Sequence, residues 1–395
     1  MTVSVPPKHA NWFTYFPEDY RWSSAVAGVL TTAPYGGAEL GEVDRVGRRL
    51  RNRVGDDEAW FEAWCDEGRR LREWAQREEA AGHRLTAAQL HLRACSYLQI
   101  GERFRTPKDP PALAAYREAV DSFHDFARLT DRPGIEPVEV PYEGGSLPAY
   151  FVHAENAPAG RRPCVVYFDG LDITKELCYL RGGPEIVRRG LSCLIVDGPG
   201  NGESIRFRGF PLRHDYELAG TAALEYTRTR PDVDADRVGV LAISLGGYYA
   251  PRIAAYEPRY RACVAWGAIW DYQATWKRRL EYGFKTQLSV PGHHIQWVLG
   301  VESTEAALEK LRDFRLDGVA QRIRCPFLLL VGEEDEQIPA ADARALFDAV
   351  GSQDKTLRIF TAAEGGAQHC QHDYLTLAST AYADWLAEKL GAASA

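Results

Sequence analysis

Six short apolar runs, separated by segments that can form helices, constrain the fold more than any other feature of the chain. They occupy residues 163–168, 192–196, 238–243, 262–268, 326–331 and 356–360. Runs that are apolar throughout are typical of strands buried on both faces. Such strands, joined by helices, form a mostly parallel sheet with helices on both sides. Two further runs, 135–140 and 147–152, alternate in polarity and predict an antiparallel hairpin at the sheet edge, which gives eight strands.

Residues 1–132 have a helical pattern instead, and we predict a separate N-terminal helical domain there. Within it, one helix is predicted at about 86–102, with Thr86 as its N-cap, and another at about 111–129. Pro133 and Gly134 mark the boundary, so residues 133–395 are predicted to form the domain that contains the sheet.

Ser244 lies where the apolar run 238–243 meets two glycines, and this junction predicts a tight strand–turn–helix. Such a turn exposes the serine hydroxyl above the sheet edge and needs small residues two positions before and after the serine. These residues are Ala242 and Gly246, so the motif is A-x-S-x-G, a departure from the commoner G-x-S-x-G. An ordinary strand–turn–helix with an incidental serine is the alternative interpretation.

Two later strand ends supply an acid and a base, in the chain order serine, aspartate, histidine. Asp335 follows the run 326–331, and His369 follows the run 356–360 and a glycine-rich loop. A serine hydroxyl becomes a good nucleophile when a histidine takes its proton and a carboxylate orients that histidine. We therefore predict that Ser244, Asp335 and His369 form a catalytic triad at one edge of the sheet.

Nearby residues offer alternatives for the acid and the base. His372 could be the base in place of His369. We favour His369 because His369 directly follows the flexible glycine loop, whereas His372 is expected to begin or cap a helix at 373–390. Asp335 is favoured over neighbouring acids because of its position after Gly332 and before the next helix. Those acids are Glu333, Glu334 and Glu336.

Backbone N–H groups are expected to bind the oxyanion that forms when the serine attacks a carbonyl. One is the N–H of Leu245, the residue after the serine. The other belongs to the loop after 163–168, where we assign it to Leu171, with Gly170 as the second choice.

The segment of about 270–322 is a long, aromatic-rich excursion between two predicted strands. Trp266, Trp270 and Trp276 near its start would suit a substrate pocket for an aromatic or polyketide-like molecule, or they could simply pack the excursion on the core. Asp271 could be an additional active-site acid, although an exposed or N-capping aspartate is the simpler interpretation.

Composition narrows the classes of partner. The net charge is −8 without a basic stripe, which argues against nucleic acids and anionic membranes as partners. We see neither a signal-peptide h-region nor an apolar stretch of membrane-spanning length. The eight cysteines lack C-x-x-C spacing and suggest reduced thiols and a cytoplasmic location. Metal-ligand spacing and phosphate-binding loops are also lacking, so we expect neither a metal nor a cofactor.

Four segments together resemble a branch of the α/β-hydrolases, namely the 2,6-dihydroxypseudooxynicotine hydrolases and the fungal enzymes that shorten polyketide naphthopyrones. The resemblance implies an α/β-hydrolase fold with an N-terminal helical cap, a homodimer, and cleavage of a C–C bond beside a ketone by Ser244, Asp335 and His369. It also implies a further acid, for which Asp271 is the best match and Glu281 the second. Ala242 and Asp169 depart from the common pattern. The four segments are 170–176, 197–204, 244–250 and 365–371.

Three functional hypotheses follow. The first is a cofactor-free serine hydrolase that cleaves a C–C bond in a β-dicarbonyl, aryl ketone or polyketide-like small molecule through an acyl-enzyme. The second is a carboxylesterase, thioesterase or acyltransferase acting on a bulky metabolite, because the same residues would serve. The third is a non-catalytic binding protein, which the presence of all three triad residues disfavours.

Overall fold

Each apolar run forms a strand in the computed structural model, which describes residues 13–155, 160–282 and 290–392. The strands are β1 (Ile135–Tyr142), β2 (Gly145–Val152), β3 (Arg162–Phe168), β4 (Ser192–Val196), β5 (Val233–Ile243), β6 (Ala262–Trp266), β7 (Phe327–Gly332) and β8 (Lys355–Phe360). The helices are α1 (Tyr20–Leu30), α2 (Leu40–Leu50), α3 (Asp57–Ala80), α4 (Arg84–Glu102), α5 (Pro110–Leu129), α6 (Lys175–Tyr179), α7 (Gly183–Arg188), α8 (Gly202–Arg208), α9 (Glu217–Thr229), α10 (Gly246–Tyr256), α11 (Tyr272–Tyr282), α12 (His294–Leu299), α13 (Thr304–Leu311), α14 (Ala340–Ala349) and α15 (Leu375–Lys389).

The strands form one sheet in the order β1-β2-β4-β3-β5-β6-β7-β8. The pairs β1–β2 and β2–β4 are antiparallel, and all other neighbouring strands are parallel. The predicted eight-stranded, mostly parallel sheet is confirmed. Since β4 and β5 flank β3 on opposite sides, the strand order reverses there, and a crevice is expected at the carboxyl ends of β3 and β5.

Helices cover both faces of the sheet. One face packs on α9, α10, α14 and the excursion between β6 and β7. The other face packs on α6, α7, α15 and the N-terminal helices α1–α5. Alternate strand residues point to opposite faces, so Tyr167 belongs to the second core and Phe168 to the first.

The N-terminal helices share a core built around aromatic side chains. The rings of Trp22 and Trp60 lie 4.8 Å apart, and those of Trp60 and Trp64 lie 5.5 Å apart. The helix predicted to start after Thr86 begins instead at Arg84, with His83 at the cap position, because Arg84 and Leu85 are good helix formers. Over the described residues, no helix combines the length and the apolar character needed to cross a membrane.

Candidate active site

Ser244 occupies the turn between β5 and α10 in a left-handed conformation, with φ of 60°. Its N–H donates to Trp266 O at 2.7 Å, and its own carbonyl accepts from Gly247 N at 2.8 Å. A Cβ added to Gly246 would lie 2.5 Å from Ala242 Cβ. The turn therefore accommodates alanine at position 242 only because position 246 is glycine.

The structure joins the three predicted triad side chains by two hydrogen bonds. Ser244 Oγ lies 2.9 Å from His369 Nε2, and His369 Nδ1 lies 2.7 Å from Asp335 Oδ2. Because the carboxylate can only accept, Nδ1 carries the proton, and Nε2 accepts from the serine hydroxyl when the ring is neutral. The other oxygen of Asp335 accepts from the N–H groups of Gln337 and Ile338 at 2.9 and 3.0 Å, which fixes the carboxylate.

Burial and charge act on His369 in opposite directions. Burial opposes the charged ring, but the Asp335 carboxylate together with the Cys370 thiol outweighs it and raises the pKa of His369 above its usual value. The arrangement therefore stabilises the imidazolium that would form after proton transfer from Ser244.

The neighbouring acids do not bind the histidine. Glu333 accepts from Ala362 N–H, and Glu334 accepts from the Gln368 side chain. Both contacts tie the loop that carries His369 to the end of β7. Glu336 lies at the same cavity as His369, and it is Asp335 that makes the hydrogen bond to the ring.

His372 lies near His369, with ring centroids 6.1 Å apart, but it has different surroundings. Its Nε2 is buried and has no hydrogen-bond partner among the described residues. Burial, followed by the positive charge of Arg181, holds the pKa of His372 well below its usual value. His372 does not begin or cap the predicted C-terminal helix, because α15 begins at Leu375 with Tyr374 at its cap position. It instead follows the short 3-10 turn His369–Gln371 as its C-cap residue.

The chain after His369 is held in a strained conformation. Cys370 and Gln371 both have positive φ, 49° and 48°. The fully buried Gln371 side chain accepts from Trp266 Nε1 at 2.6 Å and donates to Gly366 O at 3.2 Å. Cys370 Sγ lies 3.4 Å from His369 Nε2. Sequence reasoning missed both residues, whose only signal was their place beside His369.

The contact with Gln371 also corrects the prediction for Trp266. This side chain is fully buried and belongs to the core on the α15 face, so it supports the His369 loop and does not line a substrate pocket. Its position at the end of β6 turns the indole to that face.

The loop after β3 approaches the Ser244 turn closely because residue 170 is glycine. A Cβ at this position would lie 2.9 Å from Ser244 Cβ and 3.0 Å from Leu245 N. Asn201 Nδ2 holds the loop by donating to Gly170 O at 2.7 Å. The Gly170 N–H donates to the Asp169 carboxylate, whereas the N–H groups of Leu171 and Leu245 have no acceptor within the described residues.

Asp169 is a buried acid directly beside this loop. Its Oδ2 accepts from Cys178 Sγ at 2.9 Å, and burial raises the pKa of Asp169 to about 7. The carboxyl is therefore partly protonated near neutral pH, which lowers the negative charge beside the two open N–H groups.

The structure brings neither predicted additional acid to the serine–histidine–aspartate chain. Asp271 Oδ1 accepts from Ala274 N at 2.9 Å and so caps the start of α11, while Oδ2 lies 3.5 Å from Arg315. Glu281 is exposed on the same helix. A helix-capping aspartate at a strand end resembles an active-site acid in sequence, and the capping interpretation is the one that this hydrogen bond fits.

The two remaining tryptophans pack the excursion on the core. Trp276 is buried, with the Arg279 guanidinium 5.3 Å from its ring centre, and Trp270 is partly buried against the same core. The cavity beside His369 is instead bordered by Tyr20 and Ser24 of α1, together with Gln337 and His372. Trp270 and Trp276 are not among the described residues that border this cavity, and their role in a substrate pocket stays a prediction.

A cluster of buried charges lies close to the same loops. Lys175 Nζ lies 2.7 Å from Glu176, 3.0 Å from Asp197 and 2.8 Å from Glu203. These carboxylates could bind a metal ion by their spacing, but the lysine ammonium occupies the position between them. Further hydrogen bonds reach Glu176 from Tyr150 and Gln99, so the cluster also ties α4 to α6.

The chain matches a known protein family. The profile of the family described as "Esterase FrsA-like" matches residues 52–390, which is most of the sequence. The chain belongs to the FrsA-like esterase family.

The chain has relatives among fungal enzymes. It is 31% identical to "Hydrolase acrC" of Aspergillus aculeatus, over 90% of this chain and 92% of that protein. It is 29% identical to "20-hydroxy-prefusarin hydrolase FUS2" of Gibberella moniliformis, over 91% and 94%. Among solved structures it resembles 2,6-dihydroxy-pseudo-oxynicotine hydrolase, with a TM-score of 0.78 and 25% identity over 91% of this chain and 95% of that one.

These matches confirm the resemblance and the α/β-hydrolase fold predicted from the sequence. The protein is therefore an enzyme of the α/β-hydrolase type, and its N-terminal region is helical as expected.

Proposed function

We propose that this protein is a serine hydrolase that cleaves a C–C bond next to a ketone through an acyl-enzyme on Ser244. The observation that carries the proposal is the hydrogen-bonded chain from Ser244 Oγ through His369 to Asp335, at 2.9 and 2.7 Å. Its substrate class is a β-dicarbonyl, aryl ketone or polyketide-like small molecule.

The first half of the reaction forms the acyl-enzyme. His369 Nε2 takes the proton of Ser244 as the oxygen attacks the ketone carbon. The N–H groups of Leu245 and Leu171 bind the oxyanion, since both lack other acceptors among the described residues, whereas the Gly170 N–H is engaged by Asp169. When the tetrahedral adduct collapses, the C–C bond breaks and its electron pair leaves with the departing carbon.

The second half releases the product. The departing carbanion is delocalised onto an adjacent carbonyl or phenol ring, and the imidazolium of His369 protonates it. Neutral His369 then takes a proton from water, which attacks the acyl carbon and frees Ser244. Asp335 holds the imidazole in one tautomer throughout.

The relatives support an organic metabolite as substrate. The names of two of them denote hydrolysis of 20-hydroxy-prefusarin and of 2,6-dihydroxy-pseudo-oxynicotine, and both align over more than 90% of this chain. The second candidate function is hydrolysis or transfer of an ester or thioester. The family description favours it, because it names an esterase.

We also propose that the N-terminal helices act as a cap over the site, with the domain boundary between α5 and β1. Tyr20 and Ser24 of α1 border the cavity that contains His369, so a substrate there would contact both parts of the chain. We propose further that the protein is a homodimer. Light scattering of the purified protein tests this oligomeric state.

Turnover of a matched pair of compounds tests the function. Benzoylacetone offers a C–C bond between two carbonyls, and phenyl acetate offers an ester. We expect hydrolysis of benzoylacetone by the full chain and loss of about 10⁶-fold in rate for Ser244→Ala. Ser146→Ala, on the β1–β2 hairpin, is the control and should keep the full rate. Hydrolysis of the ester alone would favour the second candidate.

A further inference from the structure

Arg181, in the turn between α6 and α7, is a buried cation without a bonded partner. Only 6% of its surface is exposed. Across the described residues, its guanidinium makes neither a hydrogen bond nor an ion pair, and its Nε is fully buried. Burying a charged side chain without a hydrogen bond or an ion pair costs several kcal/mol, so such a group is rare in a protein core unless a ligand completes it.

The guanidinium borders a cavity between α1 and the core. A Cβ on Gly28 of α1 would lie 3.8 Å from Arg181 Nη2, and both residues line this cavity. Ser96 Oγ and His372 Nε2 line it too, and each is buried without a hydrogen-bond partner among the described residues. Three polar groups of the cavity wall thus lack hydrogen-bond partners within the part of the chain that the structure describes.

The cavity adjoins the candidate active site. Ser24 and His372 line both this cavity and the one that contains His369. The two cavities therefore share part of their wall, which places Arg181 in the cavity next to the one that contains His369.

The charge balance of the wall favours an anion. Its other arginine, Arg103, forms an ion pair with Asp172. Burial acts to raise the pKa of both Asp169 and Asp172, and the positive charge of Arg181 opposes this rise. Neither carboxylate is hydrogen-bonded to Arg181. His372 stays neutral because burial and Arg181 lower its pKa, so it can donate or accept without adding charge.

We propose that Arg181, with Ser96 and His372, forms a subsite for a negatively charged oxygen of the substrate. The inference rests on the proposed function and deepens it, because it assigns an acidic group to the substrate or to its leaving half. Guanidinium groups bind such oxygens through charge-assisted hydrogen bonds.

Two sources of this oxygen share the same chemistry. The substrate can carry a permanent carboxylate. Alternatively, the oxygen can become charged during the reaction: when the C–C bond breaks, its electron pair forms an enolate on the neighbouring carbonyl, and His369 then protonates the carbon.

A binding experiment tests the first source. In the full chain with Ser244→Ala, which prevents turnover, we compare benzoylpyruvate with benzoylacetone, which has a methyl group in place of the carboxylate. We expect calorimetry to show tighter binding of benzoylpyruvate by about tenfold to a hundredfold, and the added change Arg181→Met to abolish this preference. Arg188→Met, an exposed arginine on α7 paired with Glu185, is the matched control and should retain the preference.

A kinetic experiment tests the second source. In otherwise unchanged protein, Arg181→Met should slow hydrolysis of benzoylacetone about tenfold to a hundredfold more than hydrolysis of phenyl acetate. The enolate oxygen from benzoylacetone lies two bonds beyond the cleaved carbon, whereas the phenolate oxygen from phenyl acetate is the leaving atom itself, beside His369. Either effect supports the subsite and identifies its source. If neither effect depends on Arg181, the proposal is overturned.

Thermal unfolding separates a ligand-binding role from a structural one. Because Arg181 has no bonded partner, Arg181→Met should leave Tm equal or higher, whereas a clear fall in Tm would overturn the proposal. Binding is measured without turnover, so it is independent of the proposed function. Selective binding without C–C hydrolysis would contradict only that function.

Discussion

Lys175 and Arg181 are buried cations only six residues apart, and their surroundings are opposite. Lys175 lies within 3.0 Å of three carboxylates, and one of these, Glu176, also binds Tyr150. Arg181 borders a cavity and has no bonded partner among the described residues. The first arrangement is complete within the protein, whereas the second is where we propose a subsite for a negatively charged oxygen.

The difference between these two cations separates a charge that stabilises the fold from a charge that serves a function. Removing a cation from a closed cluster leaves buried carboxylates uncompensated and destabilises the protein. Removing a cation that makes neither a hydrogen bond nor an ion pair breaks no such bond, so its loss should cost the protein little stability. The same contrast distinguishes His369, which is bonded on both sides, from His372.

The largest effect, on the rate of hydrolysis, is expected for Asp335, which is hydrogen-bonded and takes part in the reaction. Asp335→Asn removes the charge that orients His369, and we expect the rate to fall by about 10⁴. The asparagine also removes the charge that raises the pKa of His369. Since the neutral ring is the active base, the low-pH limb of kcat/KM should move to lower pH, as measured in a pH–rate profile.

Asp354→Asn serves as its control. This exposed carboxylate pairs with Lys389 at the protein surface and should affect neither the rate nor the pH profile. A low-pH limb that stays in place in Asp335→Asn would contradict the role given to Asp335.

The next effect concerns the closed cluster itself. Lys175→Met leaves Glu176, Asp197 and Glu203 without a counter-charge in the core, so the free energy of unfolding should fall by about 3–5 kcal/mol in urea titrations. Lys389→Met breaks an exposed pair and should cost less than about 1 kcal/mol. Equal losses in the two variants would remove the distinction between the cluster and the surface.

The smallest effect compares two buried serines. Ser379 Oγ is hydrogen-bonded to Tyr35 OH at 2.6 Å, so Ser379→Ala should cost about 1 kcal/mol of unfolding free energy. Ser96 has no such partner, and Ser96→Ala should change stability by less than about 0.5 kcal/mol. A large loss for Ser96→Ala would show that the cavity wall is bonded within the protein after all.

Strand positions could be predicted from the sequence because long apolar runs have few alternatives. The run 192–196 matches β4 at both ends, whereas β5 starts at Val233, five residues before the run 238–243. The early part of β5 is polar and pairs with β3 at Arg162, a contact that hydrophobicity does not signal.

Site residues could be predicted from the sequence where their function follows from their position after a strand. They could not be predicted where their function depends on which side chains they contact in the folded protein. Ser244, Asp335 and His369 were chosen from their places after three strands, and the structure joins them. For Trp266 and Asp271 the sequence left two interpretations open, because a strand-end residue can point to the core or cap a helix. Arg181 carries no motif at all, since its significance lies in a missing partner.

Trapping the acyl-enzyme tests whether Ser244 is the nucleophile. The full chain is mixed with benzoylacetone, quenched in acid during turnover, digested and examined by mass spectrometry. The account predicts an acetyl or benzoyl group on the peptide that contains Ser244 and its absence from the Ser244→Ala protein. Turnover with no acyl group on that peptide, or with the group on another residue, would contradict the account.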